Sequence, residues 1–126
     1  MSFFLEKEKT SSTPYVLIDE SKNYMKFEGM SFHENTAEFF RDIVEWLRGY
    51  LSSDYSSFTF DSKMEYFNSS TIKILYDMFD AMNDSAGSGK TITVNWYVDE
   101  DDELLIELCE DIEEDYENLT INMIMA

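Results

Sequence analysis

Tyr66-Phe67-Asn68-Ser69-Ser70-Thr71-Ile72-Lys73, written YFNSSTIK, decides how this 126-residue chain is read. Before and into it, Phe58, Phe60, Met64, Tyr66 and Phe67 make a partly alternating apolar run, the pattern of a strand. After it, Ile72, Leu75, Phe79 and Met82 recur at helical spacing. A strand that passes into a helix through one short polar junction is the building step of an α/β sheet. The junction is unusual in its chemistry. Asn68 is enough to cap a helix, yet three hydroxyls, Ser69, Ser70 and Thr71, follow it.

The same alternation extends outward in both directions. Residues 13–18 predict a strand that admits Pro14 near its start, residues 20–23 a turn, and residues 24–29 a second, alternating strand, so the pair reads as a hairpin. Asn35 or Thr36 opens a helix whose apolar stripe is Phe39, Phe40, Ile43, Trp46, Leu47 and Tyr50. The helix after the junction ends at Ala86-Gly87-Ser88-Gly89, and residues 91–98 are a β-branched and aromatic strand. Leu104, Leu105, Leu108, Cys109 and Ile112 mark a third helix with an acidic outer face; Leu119, Ile121 and Ile124 mark a last strand. Residues 1–12 read as a polar lead-in without a period. The prediction is one α/β domain over residues 13–126, in the order ββαβαβαβ, with helices laid against a mixed sheet.

Composition narrows the function. The formal charge of -18 repels phosphate backbones and anionic lipid, which argues against nucleic acid and membrane surfaces as partners and suits a basic patch on another protein. Cys109 is the only cysteine, so an internal disulfide is excluded and thiolate metal clusters have no basis. The N-terminal MSFFLEKEKT carries acids and no apolar run of signal-sequence length, and no run of about twenty apolar residues exists to span a bilayer. A cytoplasmic protein is expected. In that compartment Asn68-Ser69-Ser70 and Asn118-Leu119-Thr120 are not sugar acceptors, although both fit the pattern.

Enzyme motifs fare poorly. Gly87-Ser88-Gly89-Lys90-Thr91 imitates the end of a phosphate-binding loop, but Asp84 stands where the motif needs glycine, and the segment leaves a helix instead of entering one. His33 is the single histidine, and no Gly-x-Ser-x-Gly elbow offers it a nucleophile. No histidine pair or calcium-loop spacing suggests a metal, and no motif calls for a cofactor. Acids at residues 99–103 suit the start of a helix; those at 110–115 lie at its disfavoured end and read as a solvated face or a docking surface for a basic partner. The hydroxyl cluster keeps two readings. Capping accounts for Asn68 and one hydroxyl, whereas a phosphoacceptor would place its phosphate against unpaired N–H groups at a positive helix end.

A strand, a hydroxyl cluster and an amphipathic helix in this order resemble the anti-sigma-factor antagonist (STAS) fold. Nearly the whole chain is similar to the SiaC family of regulatory phosphoproteins. The resemblance rests on Ser12-Thr13-Pro14, the run from Glu34-Asn35 through Glu38-Phe39-Phe40, Trp46-Leu47, Tyr50-Leu51, Tyr66 to Ser70, Met78-Phe79-Asp80, and Val94-Asn95-Trp96-Tyr97 with its following acids. It implies a STAS-like fold and a switch protein, not an enzyme. Such a protein is phosphorylated by a dedicated serine/threonine kinase and dephosphorylated by a PP2C-type phosphatase. Its unphosphorylated form activates a diguanylate cyclase, in cyclic di-GMP signalling and biofilm formation. The implied acceptor is Ser69, with Ser70 and Thr71 as alternates, and Asn68 and Lys73 as cap and partner contact. A STAS-like module that binds a small molecule or lipid, its aromatics lining a pocket, is the alternative.

Overall fold

The computed structural model describes residues 2–125; Met1 and Ala126, the outer ends of the expected lead-in and domain, lie outside it. Six strands form one sheet in sequential order: β1 (Phe4–Lys7), β2 (Tyr15–Asp19), β3 (Tyr24–Ser31), β4 (Ser57–Phe67), β5 (Thr91–Val98) and β6 (Thr120–Met125). Three helices connect the later strands: α1 (Thr36–Leu51), α2 (Ser69–Ala86) and α3 (Glu103–Asp115). β1 to β3 pair antiparallel, and β3 to β6 pair parallel.

The expected order gains a strand. Residues 4–7, read as part of an aperiodic lead-in, are an edge strand that pairs Leu5 with Ile18 and Lys7 with Val16. Four residues are too few to display a period, and their pairing is entirely non-local. The turn at 20–23 is a single 3-10 turn (Glu20–Lys22) closed by Asn23 in the left-handed region, φ 52°. Asparagine tolerates that conformation because its short amide bonds locally. Here Asn23 Oδ1 accepts a hydrogen bond from the Tyr50 hydroxyl at 2.6 Å.

Each parallel crossover advances in the same direction along the sheet, so right-handed connections set all three helices on one face. The registers agree with this. Phe60 lies beside Met25 and Val94, and all three are buried; Phe58 lies beside Ile92, also buried. The core is aromatic, with Phe27 against Phe60 at 5.0 Å and Phe60 against Phe79 at 6.1 Å between ring centroids. The opposite face carries a polar row. Tyr24 donates to Asp61 at 2.6 Å, Asn95 Nδ2 donates to Asp61 at 2.9 Å, and Asn122 Nδ2 donates to Asn95 at 3.1 Å. No helix among the described residues is long and apolar enough to cross a membrane.

The sheet topology fixes where a site can lie. Helices that follow parallel strands present their N-termini at the carboxyl edge of the sheet, the edge where open α/β sheets place ligands. The ends of β3, β4 and β5 and the starts of α2 and α3 therefore converge there.

Candidate functional site

The site begins with a β-bulge. Gly29 pairs with Met64 but Met30 pairs with Tyr66, so Glu65 is an extra residue in β4. Gly29 sits at φ +118°, a conformation side chains rarely adopt, and it makes the irregularity possible. The bulge reverses the phase of β4. Phe58, Phe60, Ser62 and Met64 are buried before it, whereas after it Tyr66 turns out and Phe67 turns in. Phe67 lies 5.8 Å from Trp96 between ring centroids, and Tyr66 meets Phe32 edge-on at 6.2 Å. This accounts for the imperfect alternation of the sequence at this point.

The strand then enters α2. Asn68 is the N-cap, with extended backbone, and its Oδ1 accepts from the Thr71 N–H at 2.9 Å. The three hydroxyls divide into two kinds. Ser69 and Ser70 are exposed, while Thr71 is buried at 1% exposure. Thr71 Oγ1 donates to Asn68 Oδ1 at 2.6 Å and lies 2.7 Å from Ser31 Oγ. With the Thr71 proton directed to the amide, Ser31 is the donor to Thr71. The cap is thus a closed chain of three polar side chains that ties α2 to the end of β3, and the Asn68 N–H donates to the Ser31 carbonyl at 2.9 Å. A single serine at the end of a strand, such as Ser31, gives no signal in the sequence.

The electrostatics of this corner differ from the rest of the molecule. Among the described helices, α1 and α3 carry Glu38 and Glu103 in their first turns, and α2 carries no acid there. In a chain with 27 acidic residues, the first turn of α2 carries no acid of its own against its positive end. Lys73 is exposed one turn on. Lys63 lies on the open face of the sheet with Nζ 4.7 Å from the centre of the Tyr97 ring.

Large apolar side chains are exposed at this corner of the sheet. Tyr66, Phe32 and Met30 are 50%, 45% and 44% exposed at the ends of β4 and β3, and Leu104 on α3 is 79% exposed. A cleft of about 310 Å³ runs between α2 and α3 from Phe67 and Ile72 to Leu105 and Leu108.

Other candidates resolve into structure. Gly87 caps α2, Gly89 has φ +100°, and Lys90 precedes β5, so the phosphate-loop look-alike is a helix-to-strand turn. His33 Nδ1 accepts from the Asn35 N–H at 3.0 Å and its carbonyl accepts from the Thr36 hydroxyl at 2.6 Å, in the entry to α1. Burial pushes the Cys109 thiol up to about 11, helped by the charges of Glu113 and Glu110, so it is protonated and inert at neutral pH. No group of three or more potential ligands for a metal occurs among the described residues.

Comparison with known proteins gives a consistent result. The model of the SiaC family of regulatory phosphoproteins matches residues 7–126. A protein of Pseudomonas aeruginosa strain UCBPP-PA14 is 28% identical over 106 residues, 84% of each chain. The fold is similar to that of apo-SiaC from Pseudomonas aeruginosa, with a TM-score of 0.89 at 24% identity over 97% of this chain and 98% of that one. It is also similar to a chain in the crystal structure of the diguanylate cyclase SiaD in complex with its activator SiaC, from the same organism. There the TM-score is 0.91 at 25% identity, over 97% and 99% of the two chains. Matched by the family model along almost its full length, the chain belongs to the SiaC family of regulatory phosphoproteins and is a regulator, not an enzyme.

Proposed function

We propose that this protein is a cytoplasmic, STAS-like switch in which Ser69 is the phosphoacceptor and the unphosphorylated form binds and activates a diguanylate cyclase. A serine/threonine kinase and a PP2C-type phosphatase set its state, and the output is cyclic di-GMP synthesis and biofilm growth. The observation that carries this reading is the division of the hydroxyl cluster. Ser69 and Ser70 are exposed beside apolar side chains at an acid-free helix start, while the Thr71 hydroxyl is buried and engaged. That supports Ser69, with Ser70 as its neighbour, and leaves Thr71 as part of the cap with Asn68. The likeness to the SiaC–SiaD complex supports the choice of partner.

The switch works by exclusion. Free Ser69 presents a small hydroxyl that a partner can cover. A phosphoserine carries about -1.5 to -2 charges and must be desolvated when covered. Lys73 is the one basic residue in the first two turns of α2, too little for a phosphate trap on this side. A penalty of about 2.7 kcal/mol weakens binding about a hundredfold. Titrating Pseudomonas aeruginosa SiaD with the unmodified and the Ser69-phosphorylated protein tests this. Unmodified protein is expected to bind at least tenfold more tightly; equal affinities would remove the switch.

A further inference from the structure

We propose that the cleft between α2 and α3 is the docking groove for the partner, and that its occupant is an amphipathic segment whose apolar side chains are flanked by lysine or arginine. This rests on the reading of Ser69 as the switch and names the surface it controls. Ile72 lines the cleft, and it lies three residues after Ser69, on the same side of the helix. Tyr66 and Phe67 line the cleft from the other side of Asn68. The hydroxyl therefore stands at the mouth of the groove.

The groove has the chemistry of a specific interface. Phe67, Ile72, Leu105 and Leu108 make an apolar lining, and Leu104, which also lines the cleft, is 79% exposed to solvent. A helix start tolerates polar residues at such a position. The rim is Glu65, Asp102, Glu107 and Asp111, with no lysine or arginine in the lining. An apolar floor with a rim of one sign excludes lipid headgroups and acidic peptides and selects a basic amphipathic segment, with the rim giving orientation and encounter rate. It also gives Asp111, in the acidic run late in α3, a role that helix electrostatics does not. A phosphate on Ser69 adds to a rim that is already negative, so it acts through bulk and desolvation and not through repulsion of the partner.

The test uses the full chain with Pseudomonas aeruginosa SiaD as probe, and the variants Leu104→Ser, Glu107→Lys with Asp111→Lys, Ser69→Asp, and Phe4→Ser as a control at the far edge. The three groove residues are exposed, so the folded state is retained, and thermal melting verifies it. Leu104→Ser is expected to weaken binding at least tenfold. The charge reversal is expected to do the same at low ionic strength and to flatten the salt dependence. Phe4→Ser should bind as the wild type does. Loss in Ser69→Asp alone, with both groove variants unaffected, overturns the groove and leaves the switch. Loss in the groove variants alone supports the groove and overturns the switch. A wild-type chain that does not bind SiaD overturns both.

Discussion

Replacing Thr71 by valine isolates the buried part of the hydroxyl cluster from the exposed part. Valine keeps the shape and removes only the hydroxyl. Ser31 Oγ then loses its one side-chain hydrogen-bond partner among the described residues while remaining 1% exposed, and Asn68 Oδ1 keeps the Thr71 N–H. An orphaned buried hydroxyl costs about 1–3 kcal/mol, and the extra buried methyl returns about 0.8 kcal/mol of this, leaving a loss of about 0.2–2.2 kcal/mol. At about 2.1 cal/mol/K per residue of unfolding entropy, a 126-residue domain loses about 4 °C of Tm per kcal/mol. Thr71→Val is therefore expected to melt about 1–9 °C below the wild type by differential scanning calorimetry. Removing the second partner as well, in Ser31→Ala with Thr71→Val, should recover most of the loss, since no polar atom is then left orphaned. A double variant that melts below Thr71→Val would refute the closed-chain description of the cap.

Gly29→Ala forces a Cβ into φ +118° and is expected to lower stability by about 1–3 kcal/mol, read as a lower denaturation midpoint; an unchanged midpoint would mean that the bulge relaxes freely. Cys109 is expected to resist iodoacetamide at pH 8 in the folded protein and to react once urea unfolds it, because burial holds the thiol near 11; rapid labelling of the native state would contradict its place in the core. Alkaline stability should fall. The hydrogen bond to Glu6 raises Tyr15 to about 12, and burial raises Tyr24, Tyr50 and Tyr116, so the folded state holds protons that the unfolded chain releases near its ordinary value of about 10. Their stabilising contribution is complete below about pH 10 and is lost as pH rises through the folded values. A Tm that stays flat from pH 9 to 12 would contradict this.

Much of the fold was legible because its signals are local. The stripes of α1, α2 and α3 and the β-branched run of β5 declare their elements within one window, and the capping pattern at Asn68 places the start of α2 to the residue. Three features were not legible, each for a reason. β1 has four residues and exists only through its pairing with β2. The bulge at Glu65 is visible only when β4 is set against Gly29 on another strand, so its signature in the sequence was no more than a break in alternation. Ser31 meets Thr71 across 40 positions of chain. The division of the hydroxyls was within reach. Thr71 precedes Leu75 by four residues and Met78 by seven, so extending the buried stripe backward by one turn places Thr71 inside and leaves Ser69 and Ser70 outside.

The most direct test of the central claim is fragment-ion mass spectrometry on the protein isolated from its native cells with phosphatase inhibitors present. A single phosphate on Ser69 in part of the population is the expected result. A phosphate on Thr71 would require α2 to unravel at its cap, and the absence of phosphate under every growth condition would leave the cluster a helix cap alone; either result would contradict the switch.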